Sequence, residues 1–474
     1  MHVETRPVEA SITPLPGELD LPRSLSALRS RRGLVALDSA AGHPRNFSWI
    51  AFDPLRGPLP RDFEELRVAA SSLQPVMKAP GPFKGGFIGA LTYDLGVNGK
   101  DLRLPPGPWG TPPIVGGLYT DFIVFDHAQD KSWLVLGDVM HPEDGRSDRR
   151  QRRAEVTELL NAASRAGTAG GVGELTRHCS PEMHAQRIET ARSLIAEGEI
   201  YQANLAHRFT GSTEGHPVDL YLSLRRVNPA PYMGFLAWAE SDGGEHSILS
   251  ASPELLLEVS GPAVRTRPIK GTVGRARDAK QDRALAESLL NSDKDRAELA
   301  MIVDLERNDL ARVCVPGSVR VPEFPVLESY PSVHHLAADV CGTLRPGLDG
   351  FDALASLFPG GSITGAPKLR SMEVIAELEE QGRGVFCGSL GFLDARGEAR
   401  FNILIRTLRW RARPRQSGQG QVSFHVGGGI TWSSDASREE QETLVKGAGL
   451  AAGLGLGGSG FGVHLHPSAT ETPS

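Results

Sequence analysis

The chain predicts an α+β fold built mainly from antiparallel β-sheets. Three observations lead there. Short runs rich in Val, Ile, Leu and Phe, broken by Gly and Pro, fill residues 1–140. Capped amphipathic helices recur after residue 180. Strands and helices do not alternate as regular βαβ units would require.

In chain order, strands are expected at 34–40, 47–54, 83–94 and 121–126. The second half of the Arg-rich stretch HPEDGRSDRRQRRAEVTELLNAA can form a helix, and the small residues of 164–174 read as a flexible linker. A helix then starts sharply. Ser180 can cap it, Pro181 suits its first position and Glu182 faces the positive end of its dipole. Ile188, Ala191, Leu194 and Ile195 share one face, and Gly198 ends it. A strand follows at 200–209. Further helices are expected at 279–291, 293–311, 367–380 and 437–450, and strands at 247–258, 385–393, 400–410 and 421–430. The domain reading is a lobe at 1–163, the linker at 164–174, a second domain at 175–454 and a tail at 455–474.

With 474 residues, the chain is long enough for a large core. Hydrophobic residues make up 40% and charged residues 23%, as in an ordinary soluble protein. A net charge of −6 with no basic block excludes a nucleic-acid footprint. No apolar run of membrane-spanning length occurs, nor a signal-peptide core, so the expected compartment is the cytoplasm. Four cysteines without C-x-x-C spacing fit a reducing compartment.

Three constellations carry candidate chemistry. Asp295 and Glu298 lie at i, i+3 on one expected helix. Glu439 and Glu442 lie at i, i+3 on another, with Lys446 four residues on. Facing each other, such helices can present carboxylates to a hard cation such as Mg²⁺; spacing alone equally describes two solvated faces. The run FPGGSITGAPK fails the phosphate-loop pattern, because Ala366 and Pro367 separate Lys368 from Gly365. It can still cradle a carboxylate or be a plain turn. In RPIKGT, Gly271 and Thr272 allow close approach to a ligand, and Lys270 points from a strand end toward a cavity. A lone Lys is usually a surface charge; in a dry site it becomes a nucleophile. His334-His335 lacks metal-ligand spacing, and no Cys sits in a G-x-C-x-G turn.

Together these segments resemble the chorismate-utilising enzymes: anthranilate, aminodeoxychorismate, isochorismate and salicylate synthases. The likeness runs in order over about residues 180–450, through EIYQANLAHRF, NPAPYMGFL, SASPELLLEV, RPIKGT, DRAELAMIVDLERNDLARV, FPGGSITGAPKLRSMEVI, CGSLGFLDARGEARFNILIRTL and VGGGITWSSDASREEQETLVKG. It implies a sandwich-like core flanked by helices. It also implies Mg²⁺ on Glu298 and Glu442, with Asp295 and Glu439 beside them. Glu254 matches the general acid, and His335 an active-site His. Gly271, Thr272, Ser362 and Gly428 match the cradle of the ring carboxylate. Arg406 matches the clamp on the enolpyruvyl carboxylate, and Lys446 a further anion contact.

Two positions divide the branches. Water-adding members carry a base Lys where this chain has Gln202, and anthranilate synthases usually have Ala where it has Lys270. PIKGT therefore resembles the aminodeoxychorismate branch. In that branch Lys270 attacks the ring, ammonia comes from a glutamine amidotransferase subunit, and the product leads to p-aminobenzoate. The resemblance also places Ser39 in a pocket that binds tryptophan in relatives. The competing readings are anthranilate synthase component I and a non-catalytic chorismate- or tryptophan-binding regulatory protein.

Overall fold

The computed structural model describes residues 9–17, 19–40, 47–97, 102, 104–105, 107–138, 148–162, 170–240, 243–331, 333–413 and 419–456. Among them, strands form sheets of twelve, seven and three members, all pairs antiparallel. In the middle of the largest sheet, Val35–Asp38, Tyr232–Ala239, Glu245–Ser252, Thr407–Ala412, Gln419–Ile430 and Gln202–Glu214 lie side by side in that order. The seven-stranded sheet runs from Val340–Thr343 through Leu255–Ser260 and Ser389–Asp394 to Ile114–Tyr119.

Period-two alternation makes the two large sheets a sandwich. On adjacent strands Leu236 and Ile248 point into a core shared with Ile88, Val115 and Phe392 of the other sheet. Their neighbours Phe235 and Leu249 point the opposite way, under helices Pro217–Val227 and Ala436–Gly453. Trp49 meets Phe392 edge-on across the sandwich, with centroids 5.5 Å apart. Full burial of each such side chain stabilises the fold by about 1.5–3 kcal/mol. The outer face of the smaller sheet is covered by helices Phe63–Ser71, Gly350–Leu357 and Asp293–Ala311. The expected α+β sandwich flanked by helices is therefore the fold observed.

Two long strands expected from the sequence are each broken where the chain passes between sheets. The run 247–258 is two strands: Glu245–Ser252 belongs to the large sheet and Leu255–Ser260 to the smaller one. The run 400–410 divides likewise into Ala399–Asn402 and Thr407–Ala412. The crossings are bound together, Ile403 N donating to Glu254 O at 3.1 Å and Ala251 N to Arg406 O at 3.0 Å. Glu254 and Arg406 thus stand at the two points where the chain changes sheet.

The boundary drawn at 163–175 does not separate sheets. Val35–Asp38 pairs with Tyr232–Ala239, and Gly86–Leu91 with Ser389–Asp394. The later part of the expected linker is laid along a strand: Gly173 N donates to Ser212 O at 2.8 Å and Val172 bridges Thr213. Its residues 164–169, and the tail from 457 on, lie outside the described residues.

Candidate active site

A cavity of about 240 Å³ opens between the sandwich, the three-stranded sheet and two helices. Both helices start on side-chain caps. Ser292 Oγ accepts from Asp295 N at 3.2 Å and starts Asp293–Ala311; Asp435 accepts from Arg438 N at 3.0 Å and starts Ala436–Gly453. Their first two turns bring Asp295, Glu298, Glu439 and Glu442 to the same cavity. Lys294 spans the gap between helices, 3.8 Å from Glu298 Oε1 and 3.7 Å from Glu439 Oε1. Ser434 donates to Glu439 Oε1 at 2.7 Å, and Lys446 reaches Glu442 at 2.7 Å and Gly427 O at 3.2 Å. Burial raises the Glu298 carboxyl above its ordinary 4.5, against the opposing pull of Lys270 and Lys294. Burial acts the same way on Glu442, but the Lys446 ammonium overrides it and the net shift is downward.

Lys270 lies in strand Ile269–Gly274 of the three-stranded sheet. The register against Val333–Ala337 slips between Lys270 and Thr272, so Gly271 forms a bulge at φ 70°. Only glycine suits this place. A Cβ there would lie 2.9 Å from Leu289 Cδ1 and 3.0 Å from Asp295 Cβ. The bulge turns Lys270 inward, where its Nζ donates to Ser362 O at 3.2 Å. Burial lowers its pKa below the ordinary 10.5, with Lys446 adding to this and Glu298 and Glu254 opposing it.

Glu254 follows Pro253 at the sheet crossing and accepts from Ile269 N at 3.2 Å. It is 3% exposed, and burial raises its pKa above 4.5 against Ser362 and Lys270. Arg406, held in the left-handed region at φ 49°, projects into the same cavity. Among the described residues its guanidinium has no hydrogen bond or ion pair. Burial pushes its pKa down to about 10, which Glu254 partly offsets. A desolvated guanidinium of this kind suits a carboxylate. A non-glycine residue at positive φ costs about 1–3 kcal/mol and is found where function holds it. His335 Nδ1 shares a 2.7 Å hydrogen bond with Thr272 Oγ1. Burial and nearby Arg406 hold its pKa at about 3, so the ring is neutral.

The cavity thus gathers Lys270, Glu254, His335, Gly271, Thr272, Ser362, Arg406, Lys446 and the four carboxylates. Gln202 lies just behind it, fully buried, with neither side-chain polar atom hydrogen-bonded among the described residues. Gly429 separates Gln202 from the cavity. A Cβ on Gly429 would be 3.0 Å from Gln202 Nε2 and 3.2 Å from Lys270 Nζ. Gly427 and Gly429 are in the lining itself; a Cβ on Gly428, between them, would meet Glu439 Oε2 at 3.2 Å and Lys446 Nζ at 3.7 Å, both groups of the cavity. Ser39 lies apart from these residues, at a second cavity of about 30 Å³ beside Asp38. Arg225 and Tyr221 already hold the Asp38 carboxylate there. Sequence reasoning missed Lys294, His425 and Gly429. Lys294, between two aspartates at a helix start, was the most legible of these.

A protein-family model described as chorismate binding enzyme matches residues 50–452. Aminodeoxychorismate synthase component 1 from Bacillus subtilis is 37% identical over 79% of this chain and 78% of its own length. Anthranilate synthase component 1 from Streptomyces coelicolor is 40% identical over 80% of this chain and 74% of its own length. The crystal structure of anthranilate synthase component I from Streptococcus pneumoniae aligns with TM-score 0.72 and 31% identity, covering 86% of this chain and 92% of that one. The menaquinone-specific isochorismate synthase MenF from Escherichia coli shares the fold, with TM-score 0.73 and 20% identity over 95% of each chain. The fold, the cavity and these likenesses agree: the chain belongs to the chorismate binding enzyme family.

Proposed function

We propose that the chain is the synthase subunit of an aminodeoxychorismate synthase, replacing the 4-hydroxyl of chorismate by an amino group. The observation that carries this reading is the Lys270 amine inside the carboxylate-lined cavity, beside a buried Glu254. Relatives named aminodeoxychorismate synthase component 1 support it.

Arg406 and the backbone around Gly271 and Thr272 bind and orient the two substrate carboxylates. Lys270, its pKa depressed by burial, attacks ring carbon 2 as the neutral amine. The double bond shifts and the bond from carbon 4 to oxygen breaks, while Glu254 delivers the proton that lets the hydroxyl leave as water. Ammonia then bonds to carbon 4, the electrons return and Lys270 is released. Neutral His335 offers a hydrogen bond without adding charge. Gln202 has no basic group with which to deprotonate water, which favours amination over hydration.

The oxygen-only donor set fits a hard cation. The buried Glu298 Oε1 has no hydrogen bond among the described residues, and an ammonium already bridges the two helices. Glu298 and Glu442, with Asp295 and Glu439, would hold Mg²⁺, which supplies Lewis-acid polarisation of the ring carboxylate. "Component 1" in the relatives' names supports a second component. We assign it the role of a glutaminase that delivers ammonia.

The 40% identity to an anthranilate synthase component supports a second reading, in which pyruvate is also expelled. Incubation with chorismate, Mg²⁺ and ammonium, followed by chromatography, separates them. A product that becomes p-aminobenzoate only when a lyase is added supports the proposal; fluorescent anthranilate and pyruvate overturn it.

A further inference from the structure

Behind one wall of the reaction cavity lies a second, much smaller one of about 20 Å³. The two share Phe386 and His425. These rings stack with centroids 4.8 Å apart and planes at 12°, so a single aromatic pair separates the spaces. The small cavity has room for about one water-sized molecule.

Its polar side chains are two guanidiniums, two hydroxyls and one imidazole. Ser423 and Arg409 face each other as cross-strand partners and are 3% and 5% exposed. Neither Ser423 Oγ nor Arg409 Nε has a hydrogen-bond partner among the described residues. Leaving such buried groups unmatched is unfavourable, so the pair points to a small hydrogen-bonding guest. Arg383, the other guanidinium at this cavity, is fixed by Glu379 at 2.7 Å. Ammonium is a cation that only donates, and two guanidiniums disfavour it. Ammonia is neutral and presents one lone pair to a donor. His425 beside it is held neutral by burial, reinforced by Arg208 and Arg383.

We propose that this cavity is a binding station for ammonia, which passes the Phe386–His425 pair to reach the substrate. The proposal rests on the amination reading above. It gives the amine nucleophile an approach separate from the side where the acidic helices and Arg406 engage the chorismate anion.

Steady-state amination at fixed pH, varying ammonium and chorismate separately, tests it on two variants. Ser423→Val fills the space and suits a strand; Ser423→Ala removes only the hydroxyl. The expected result is a KM for ammonium raised about tenfold by Ser423→Val and about threefold by Ser423→Ala, with the chorismate KM within about twofold of wild type. Wild-type ammonium KM in Ser423→Ala overturns the station even if Ser423→Val does not fold, leaving a site for buried water. A chorismate KM that rises in step with the ammonium KM overturns it too. A wild-type chain that never aminates chorismate removes the underlying reading, and the station with it.

Discussion

At the scale of single residues, the account depends on two protons held in the less usual state. Lys270 must lose one and Glu254 must keep one. Burial drives both that way, lowering the amine from 10.5 and raising the acid from 4.5. Activity needs the amine neutral, which favours higher pH, and the acid protonated, which favours lower pH. The expected kcat/KM profile is therefore a bell, with the acid's limb displaced above 4.5 and the amine's limb displaced below 10.5. A flat profile across that window contradicts the pairing. Glu254→Gln keeps the shape but has no proton to give, and should lower kcat by about 10²–10⁴-fold. Gly271→Ala places a methyl group against Leu289 and Asp295 at φ 70°. It should destabilise the protein by about 1–3 kcal/mol in urea unfolding.

At the scale of elements, the helix Ala436–Gly453 carries two site carboxylates and is pinned from the side opposite the cavity. Glu440 accepts from Arg177 at 2.6 and 2.9 Å and from His184 Nδ1 at 2.8 Å. Burial opposes its charge, but His184 and Arg177 outweigh this and hold its pKa at about 2. A depressed folded pKa gives stability that is present above 4.5 and lost as pH falls toward about 2. Thermal unfolding of wild type and Glu440→Gln should differ near neutrality and converge over that window. Lys294 makes a second element-scale test. Its ammonium sits between Glu298 and Glu439, where it repels a divalent cation. Lys294→Gln should lower the Mg²⁺ concentration needed for half-maximal activity; an unchanged requirement would place the cation elsewhere.

The elements also show what sequence can and cannot carry. Helices Asp293–Ala311 and Ala436–Gly453 were legible because caps and apolar spacing are local signals. The breaks at Glu254 and Arg406 were not. Pro253 interrupts the first run, but a proline alone does not say that the chain changes sheet; the second run stays apolar on both sides of Arg406, and only packing between two sheets makes each run change partner. Residue types and spacing made the acidic pairs visible; family resemblance singled out Glu254 and Arg406. Lys294 and His425 escaped both: Lys294 has a local partner in Glu298, but its place at the site comes from distant Glu439, and His425 stacks on distant Phe386. Helix Pro217–Val227 and strand Tyr232–Ala239 were missed although Pro217 opens the helix and Asn228-Pro229-Ala230-Pro231 separates it from the strand.

At the scale of the whole molecule, N- and C-terminal strands are woven into the same two sheets. Neither segment completes either of these two sheets without the other. A fragment beginning at residue 175 should lack a cooperative thermal transition, because it exposes the edges of Tyr232–Ala239 and Ser389–Asp394. Among the described residues, no helix is long and apolar enough to cross a membrane. The weave also positions the site: Glu254 and Arg406 stand at crossings between the two large sheets, and Lys270 lies in a third.

The central claim is that the Lys270 amine bonds transiently to the substrate ring. Peptide mass spectrometry of enzyme quenched during turnover with chorismate and Mg²⁺, but without ammonium, addresses it directly. The account predicts that the peptide bearing Lys270 gains the mass of chorismate less one water, and that Lys270→Ala loses both this adduct and amination. An unmodified peptide, together with a Lys270→Ala variant that aminates at the wild-type rate, would contradict it.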